Sequence, residues 1–334
     1  MTLRKILIIQ TAFIGDVILA TALIEKLNQH LPEAKIDFLL RKGNEGLLHG
    51  HPKLNKVLIW NKKEGKIKNL FKTLNKIRAS NYDLVVNIQR FTSSGIFTAF
   101  SQATQTIGFH KNPLSFLFTD KIKHDFQEGI HEIDRNLSLI SGITDTKRAL
   151  PKLYPSREDY QQIKNLQTEP YICLAPNSVW FTKQYPMEKW IEFIQKFQYQ
   201  GKLYLLGAPG DKSNCEEIIA KSGKENIENL AGKLSLLQSA ALMESAEMNY
   251  VNDSAPMHLA SAMNAKTCAI FCSTVPAFGY GPLSEKSTII QVDEMLNCRP
   301  CGLHGHRQCP KGHFKCGKDI KTEKLIEVYA NFNN

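Results

Sequence analysis

The chain has 334 residues, 43% of them hydrophobic and 22% charged, which is ordinary globular material and too long for one hydrophobic core, so two domains are expected. A formal charge of +10 favours an anionic partner, such as a nucleotide, a phosphorylated glycan, nucleic acid or an inner-leaflet surface, without choosing among them. No apolar run approaches the length needed to cross a bilayer and no charged-then-apolar leader opens the sequence, so a soluble cytoplasmic protein is expected.

Lys5–Gln10 is a short, isoleucine-rich run of the kind buried on both faces of a parallel sheet. Thr11–Gly15 is a loop, and from Asp16 onward Val17, Leu19, Ala20, Leu23, Ile24 and Leu27 recur at helical spacing, which predicts a helix beginning at or near the acid. Ligands of open α/β sheets sit beyond the carboxyl ends of strands, so Asp16 is a candidate functional acid. Locally the plainer reading is that it caps the helix.

Strand-like runs follow at Lys35–Leu40, Lys56–Trp60, Asp83–Ile88 and Thr106–Phe109, with helices predicted after Ser93 and over Glu132–Ile140. Between the second and third of these runs lies the densest basic stretch. Lys62, Lys63, Lys66, Lys68, Lys72, Lys76 and Arg78 face one acid, Glu64, while Ile67, Leu70, Phe71, Leu74 and Ile77 form an apolar stripe. This reads as an amphipathic helix with a basic outer face, either solvated or able to meet an acidic membrane or glycan. Alternating strands and helices imply a doubly wound parallel sheet, and the polar stretch Ser141–Pro170 reads as the crossing between domains.

A second α/β unit then begins. Strands are expected at Tyr171–Pro176, Leu203–Gly207, Ile227–Gly232, Met248–Val251 and Thr267–Phe271. Helices are expected over Met187–Phe197, Cys215–Ala220 and Ser235–Glu244, after Ser254, and over Glu323–Phe332. The predicted organisation is residues 1–150 and 151–334, two Rossmann-like units with a cleft between them suited to a nucleotide-type ligand.

There is no G-x-G-x-x-G after the first strand and no G-x-x-x-x-G-K-[ST], which argues against a dehydrogenase or a P-loop NTPase. Phosphate must be held otherwise. In APNSVWFTK, Ser178, Thr182 and Lys183 follow a strand end where hydroxyls and an ammonium can meet phosphate oxygens. In VNDSAPMHLA, Asp253 and Ser254 open a helix, with His258 one turn along. Singly, each has a bland alternative: a surface lysine, a cap, a core histidine.

Jointly, TAFIGDVILATAL, APNSVWFTKQYP and VNDSAPMHLASAMNAKTCAIF resemble, in order and spacing, the motifs of the ADP-heptose:lipopolysaccharide heptosyltransferases, glycosyltransferase family 9. That resemblance spans nearly the whole chain and implies a GT-B architecture, an inverting transfer needing no metal, and a nucleotide sugar held mainly by the second domain. By motif it makes Asp16 the general base and Lys183 the group neutralising the leaving diphosphate. Ser178 and Thr182 fall in the donor-phosphate loop, Asp253 meets sugar hydroxyls, and Ser254 and His258 contact sugar or phosphate. Asp211 matches an acid holding the nucleoside, and Leu234 falls where the base packs. Ser254-Ala255-Pro256 departs from the small pair that follows the acid in better-known members, which bears on sugar identity. On the acceptor side, Arg90, His110 and Lys111 lie near predicted strand ends and are suited to phosphorylated core sugars.

Cys298, Cys301, Cys309 and Cys316, spaced C-x2-C-x7-C-x6-C with three histidines among them, have ligand types suited to a structural zinc. Reduced cysteines that simply pack are the competing reading. No recognition helix follows, so a nucleic-acid-binding finger is not expected. The sequence therefore points to transfer of heptose from ADP-heptose to a lipopolysaccharide inner-core acceptor by a cytoplasmic enzyme peripheral to the inner membrane face, without nucleic acid as partner. Another nucleotide-sugar donor on the same fold, or a sugar epimerase, is the alternative.

Overall fold

The computed structural model describes residues 3–333 and divides into two compact units, Met1–Tyr154 and Pro155–Asn334. In the first, β1 (Lys5–Ile9) leads into α1 (Ile14–His30), then β2 (Lys35–Arg41), β3 (Lys56–Trp60), α2 (Lys66–Ala79), β4 (Leu84–Asn87), α3 (Thr92–Ala99), β5 (Gln105–Phe109), β6 (Asp120–Ile122) and α4 (Glu132–Ser138). The six strands are parallel in the order β3-β2-β1-β4-β5-β6. Central strands are buried on both faces, which is why Lys5–Gln10 reads as a continuous apolar run rather than an alternating one. Leu7, Ile9, Leu39, Trp60, Val85 and Phe97 pack with Leu74 and Ile77 from α2 into one core cluster.

The second unit opens with α5 (Arg157–Gln162) and runs through β7 (Tyr171–Ala175), α6 (Met187–Lys196), β8 (Lys202–Leu205), α7 (Lys212–Ser222), β9 (Ile227–Asn229), α8 (Leu236–Ser245), β10 (Met248–Asn252), α9 (Ala255–Ala262), β11 (Thr267–Phe271), β12 (Ser287–Gln291), α10 (Lys315–Lys318) and α11 (Thr322–Asn333). Its parallel sheet, β12-β11-β10-β7-β8-β9, repeats the first order when read from the other edge. Chain direction along the sheet therefore reverses between β1 and β4 in one unit and between β7 and β10 in the other. Those two points are where a doubly wound sheet opens a crevice for a ligand. The core is aromatic: Tyr185, Trp190, Phe193, Phe197 and Tyr250 cluster beneath α11, whose Leu325 carbonyl accepts the Tyr250 hydroxyl at 2.8 Å.

Four details differ from the sequence expectations. The strands β6 and β12 were not anticipated; both are sheet edges, half exposed and weakly alternating. The stretch 141–170 is not a plain linker, because Ser156 and Asp159 form a capping box that starts α5. The basic helix begins at Lys66, after Gly65 takes φ +58°, so Lys62 and Lys63 lie in the preceding turn.

Candidate active site

In the second unit the loops after β7 and β10 meet. The Lys183 ammonium lies 2.7 Å from Asp253 Oδ2, with side chains 15% and 5% exposed. The Thr274 hydroxyl donates to the same carboxylate oxygen at 2.6 Å. Beneath them the fully buried Asn252 accepts the Tyr185 N–H at 2.8 Å and donates to the Pro176 carbonyl at 2.8 Å, joining the roots of the two loops. A cation and an anion are thus held together at the crevice, each satisfying the other where solvent is scarce.

The other sequence-selected residues of this unit surround that pair. Ser178 stands half-buried on the β7 loop, its carbonyl accepting Gln184 Nε2 at 2.6 Å. Thr182 is buried, and its hydroxyl accepts the His306 N–H at 2.8 Å, turned into the protein. Ser254 precedes α9, and His258 is buried one turn into that helix. Asp211 and Leu234 follow β8 and β9, the next strands along. Asp211 accepts the Ala208 N–H at 2.8 Å, and the two loops are joined by Gly232 N–H to the Gly207 carbonyl at 2.9 Å. All eight donor-side residues named from sequence thus lie on loops or a helix start after strands of one sheet. Sequence reasoning missed Thr274 and Ser273, whose only local signal is their place after a buried strand.

In the first unit Asp16 occupies the third position of α1 and accepts the Phe13 N–H at 3.2 Å. Asp16 is therefore not the N-cap expected from the sequence: Phe13 holds that place, and the carboxylate reaches back from the first turn to its N–H. Arg41, at the end of β2, lies near enough for its charge to be felt by Asp16, and its guanidinium sits 4.6 Å from the exposed Phe13 ring centre. Burial lowers the Arg41 pKa and the neighbouring acid opposes that shift. Arg41 was not singled out from sequence, where nothing distinguishes it from other basic residues.

Arg90, His110 and Lys111 do come together. With Arg135 they surround His124, which burial first, and then Lys111, Arg135, Arg90 and His110, lowers from 6.5 to about 4. Lys111 and Arg135 lie 4.4 and 4.7 Å from the Phe126 ring centre. A concentration of cations beside exposed aromatic rings suits an anionic, partly apolar ligand.

Around the four clustered cysteines, Cys298 Sγ lies 3.7 Å from His313 Nε2, Cys301 Sγ donates to the Cys298 carbonyl at 3.1 Å, and Cys316 is buried in the core. Burial pushes the Cys316 thiol up to about 12. Among the described residues no group of three or more His, Cys, Asp or Glu side chains is placed to hold a metal ion.

Residues 70–313 match the family model described as glycosyltransferase family 9 (heptosyltransferase). The chain is 29% identical to lipopolysaccharide heptosyltransferase 3 of Escherichia coli over 284 residues, covering 79% of this chain and 81% of that one. It is 26% identical over 334 residues to lipooligosaccharide heptosyltransferase 2 of Campylobacter jejuni, covering 98% of each. The solved structure of E. coli ADP-heptose lps heptosyltransferase II superposes with a TM-score of 0.81 at 21% identity, over 98% of both chains. The fold is accordingly of the GT-B type, built of two Rossmann-like units.

Proposed function

Because this chain belongs to glycosyltransferase family 9, we propose that it is an inverting heptosyltransferase taking its sugar from ADP-heptose and delivering it to a lipopolysaccharide inner-core acceptor. The observation that carries this reading is the Lys183–Asp253 pair at the switch point of the second sheet. Before the donor binds, the two charges neutralise one another. A diphosphate offers Lys183 a stronger partner and releases Asp253 to accept hydrogen bonds from sugar hydroxyls. Ser178, Ser254 and His258 complete the contacts to phosphate and sugar, while Asp211 and Leu234 hold the nucleoside.

In the transfer, Asp16 takes the proton of the acceptor hydroxyl. The freed oxygen forms a bond to the anomeric carbon as the bond from that carbon to the diphosphate breaks on the opposite face, which inverts the configuration. Negative charge collects on the departing ADP, where Lys183 stabilises it. Arg90, His110 and Lys111 meet anionic groups of the acceptor.

Such an acceptor is anchored in a bilayer. No described helix is long and apolar enough to cross a membrane, and α2 offers a surface contact instead. Its inner side packs through Leu74 and Ile77, while Ile67 and Phe71 are 73% and 57% exposed beside Lys68, Lys72 and Lys76. Exposed apolar side chains bordered by a row of lysines suit an anionic cytoplasmic leaflet.

The test is release of ADP from ADP-heptose with and without a lipopolysaccharide acceptor. Acceptor-dependent release with one heptose added per ADP supports transfer; equal ADP release without acceptor would mean hydrolysis, an isomerised nucleotide sugar formed without ADP release would mean the epimerase reading, and either contradicts this one.

A further inference from the structure

Thr182 stands beside the proposed phosphate lysine, yet its polar groups all face the protein interior. Its hydroxyl accepts the His306 N–H at 2.8 Å and the Ser273 hydroxyl at 3.0 Å. Its N–H donates to the His306 carbonyl at 3.1 Å, and its carbonyl accepts the Ser273 N–H at 3.2 Å. The Ser273 carbonyl in turn accepts the Cys301 N–H at 2.9 Å. Thr182 is therefore the pin through which the loop after β11 and the cysteine-rich segment grip the β7 loop.

Gly305 lies at the point of contact. Its φ is +75°, and a Cβ there would stand 3.0 Å from Thr182 Oγ1, 3.2 Å from Lys183 Cγ and 3.3 Å from Ser273 Oγ. Glycine is needed both for the left-handed backbone and for the close approach. Arg299 anchors the same segment by donating to the carbonyls of Cys272 at 2.7 Å and Thr274 at 2.8 Å. Thr274 is also the residue whose hydroxyl holds Asp253. One short stretch, 273–274, thus fixes both partners of the ion pair.

We infer that Thr182 and the Gly305–His306 turn are positioning residues that set the backbone at Lys183, so that the cysteine-rich segment serves the donor site as its brace. Thr182 then acts through Lys183 rather than by touching the donor. This inference rests on the phosphate role of Lys183, and the two can be separated.

The experiment is calorimetric ADP binding to Thr182→Val, Thr182→Ser and Gly305→Ala, each alone and combined with Lys183→Ala. Removing a buried acceptor from the His306 N–H should weaken ADP binding about tenfold in Thr182→Val. Thr182→Ser, which keeps the hydroxyl, should recover affinity to within about twofold of the native protein. In the Lys183→Ala background Thr182→Val should change affinity by less than about twofold, because the two losses are one interaction. Equal losses in both backgrounds, or none in Thr182→Val while Lys183→Ala binds poorly, would overturn the brace and leave the phosphate reading intact. Native ADP affinity in Lys183→Ala would overturn both. Should Thr182→Val be insoluble, Gly305→Ala, altering the turn from its other side, supplies the same coupling.

Discussion

The two units share a strand order and carry candidate functional residues at the same topological point, but they furnish it differently. In the second, the crevice is tied down: Lys183, Asp253, Thr274, Thr182 and Ser273 hold one another through short bonds. In the first, Asp16 stands near Arg41 and the 60% exposed Phe13, with further cations and exposed rings at neighbouring strand ends. A tight, pre-formed arrangement suits a small diphosphate whose charge must be met at the moment it leaves. An open, basic and aromatic surface suits a large acceptor that presents several anionic groups. Identical topology supplies two placements and leaves their chemistry to the loops.

This contrast can be broken at its strongest points. Asp16→Asn should lower turnover by about 10²–10⁴-fold, the range for a lost general base, while leaving ADP affinity unchanged. A normal rate in that variant would remove Asp16 from the chemistry. Lys183→Ala should lower turnover by about 10²–10³-fold and weaken ADP binding too, since it acts on a group present in donor and leaving group alike. Rate loss at unchanged ADP affinity would place Lys183 elsewhere.

A smaller effect is expected on the outer face of the first unit. Replacing Lys68, Lys72 and Lys76 by Gln should reduce partition onto vesicles containing phosphatidylglycerol by about fivefold per charge at low salt. The rate with a soluble, lipid-free acceptor should stay constant. Unaltered vesicle binding would dissociate α2 from the membrane.

The smallest effect concerns pH. Burial holds both His51 and His124 of the first unit down at about 4, against 6.5 for a free imidazole. Their depressed pKa values mean that the unfolded chain binds these protons first. The stability they contribute is present above about 6.5 and is lost as pH falls toward 4. Thermal melts across that window should show the first unit weakening, and His51→Gln should flatten the slope. A slope unchanged by the substitution would exclude His51 as its source.

Much of this was legible in the sequence because it rests on local pattern. The isoleucine-rich start of β1, the alternation of strands with amphipathic helices and the placing of Asp16, Lys183 and Asp253 shortly after strand ends all follow from periodicity. The short edge strands β6 and β12 carry too little alternation to be seen. Arg41 and Thr274 gain their meaning only from residues far along the chain, Asp16 and Asp253. Gly305 was invisible for the same reason: its requirement arises from Thr182, Lys183 and Ser273, which tertiary folding brings to it. The bonds that tie the cysteine-rich segment to Thr182 and Ser273 run through its backbone and leave no mark on the residue types.

The central claim, that ADP-heptose is the donor, is met most directly by calorimetry of the purified protein with ADP-heptose, ADP, UDP-glucose and GDP-mannose. The account predicts saturable binding of ADP-heptose and ADP, with the two other nucleotide sugars binding at least about tenfold more weakly. Preference for a uridine or guanosine nucleotide sugar would contradict it, and would leave the fold and the Lys183–Asp253 pair standing for a different transfer.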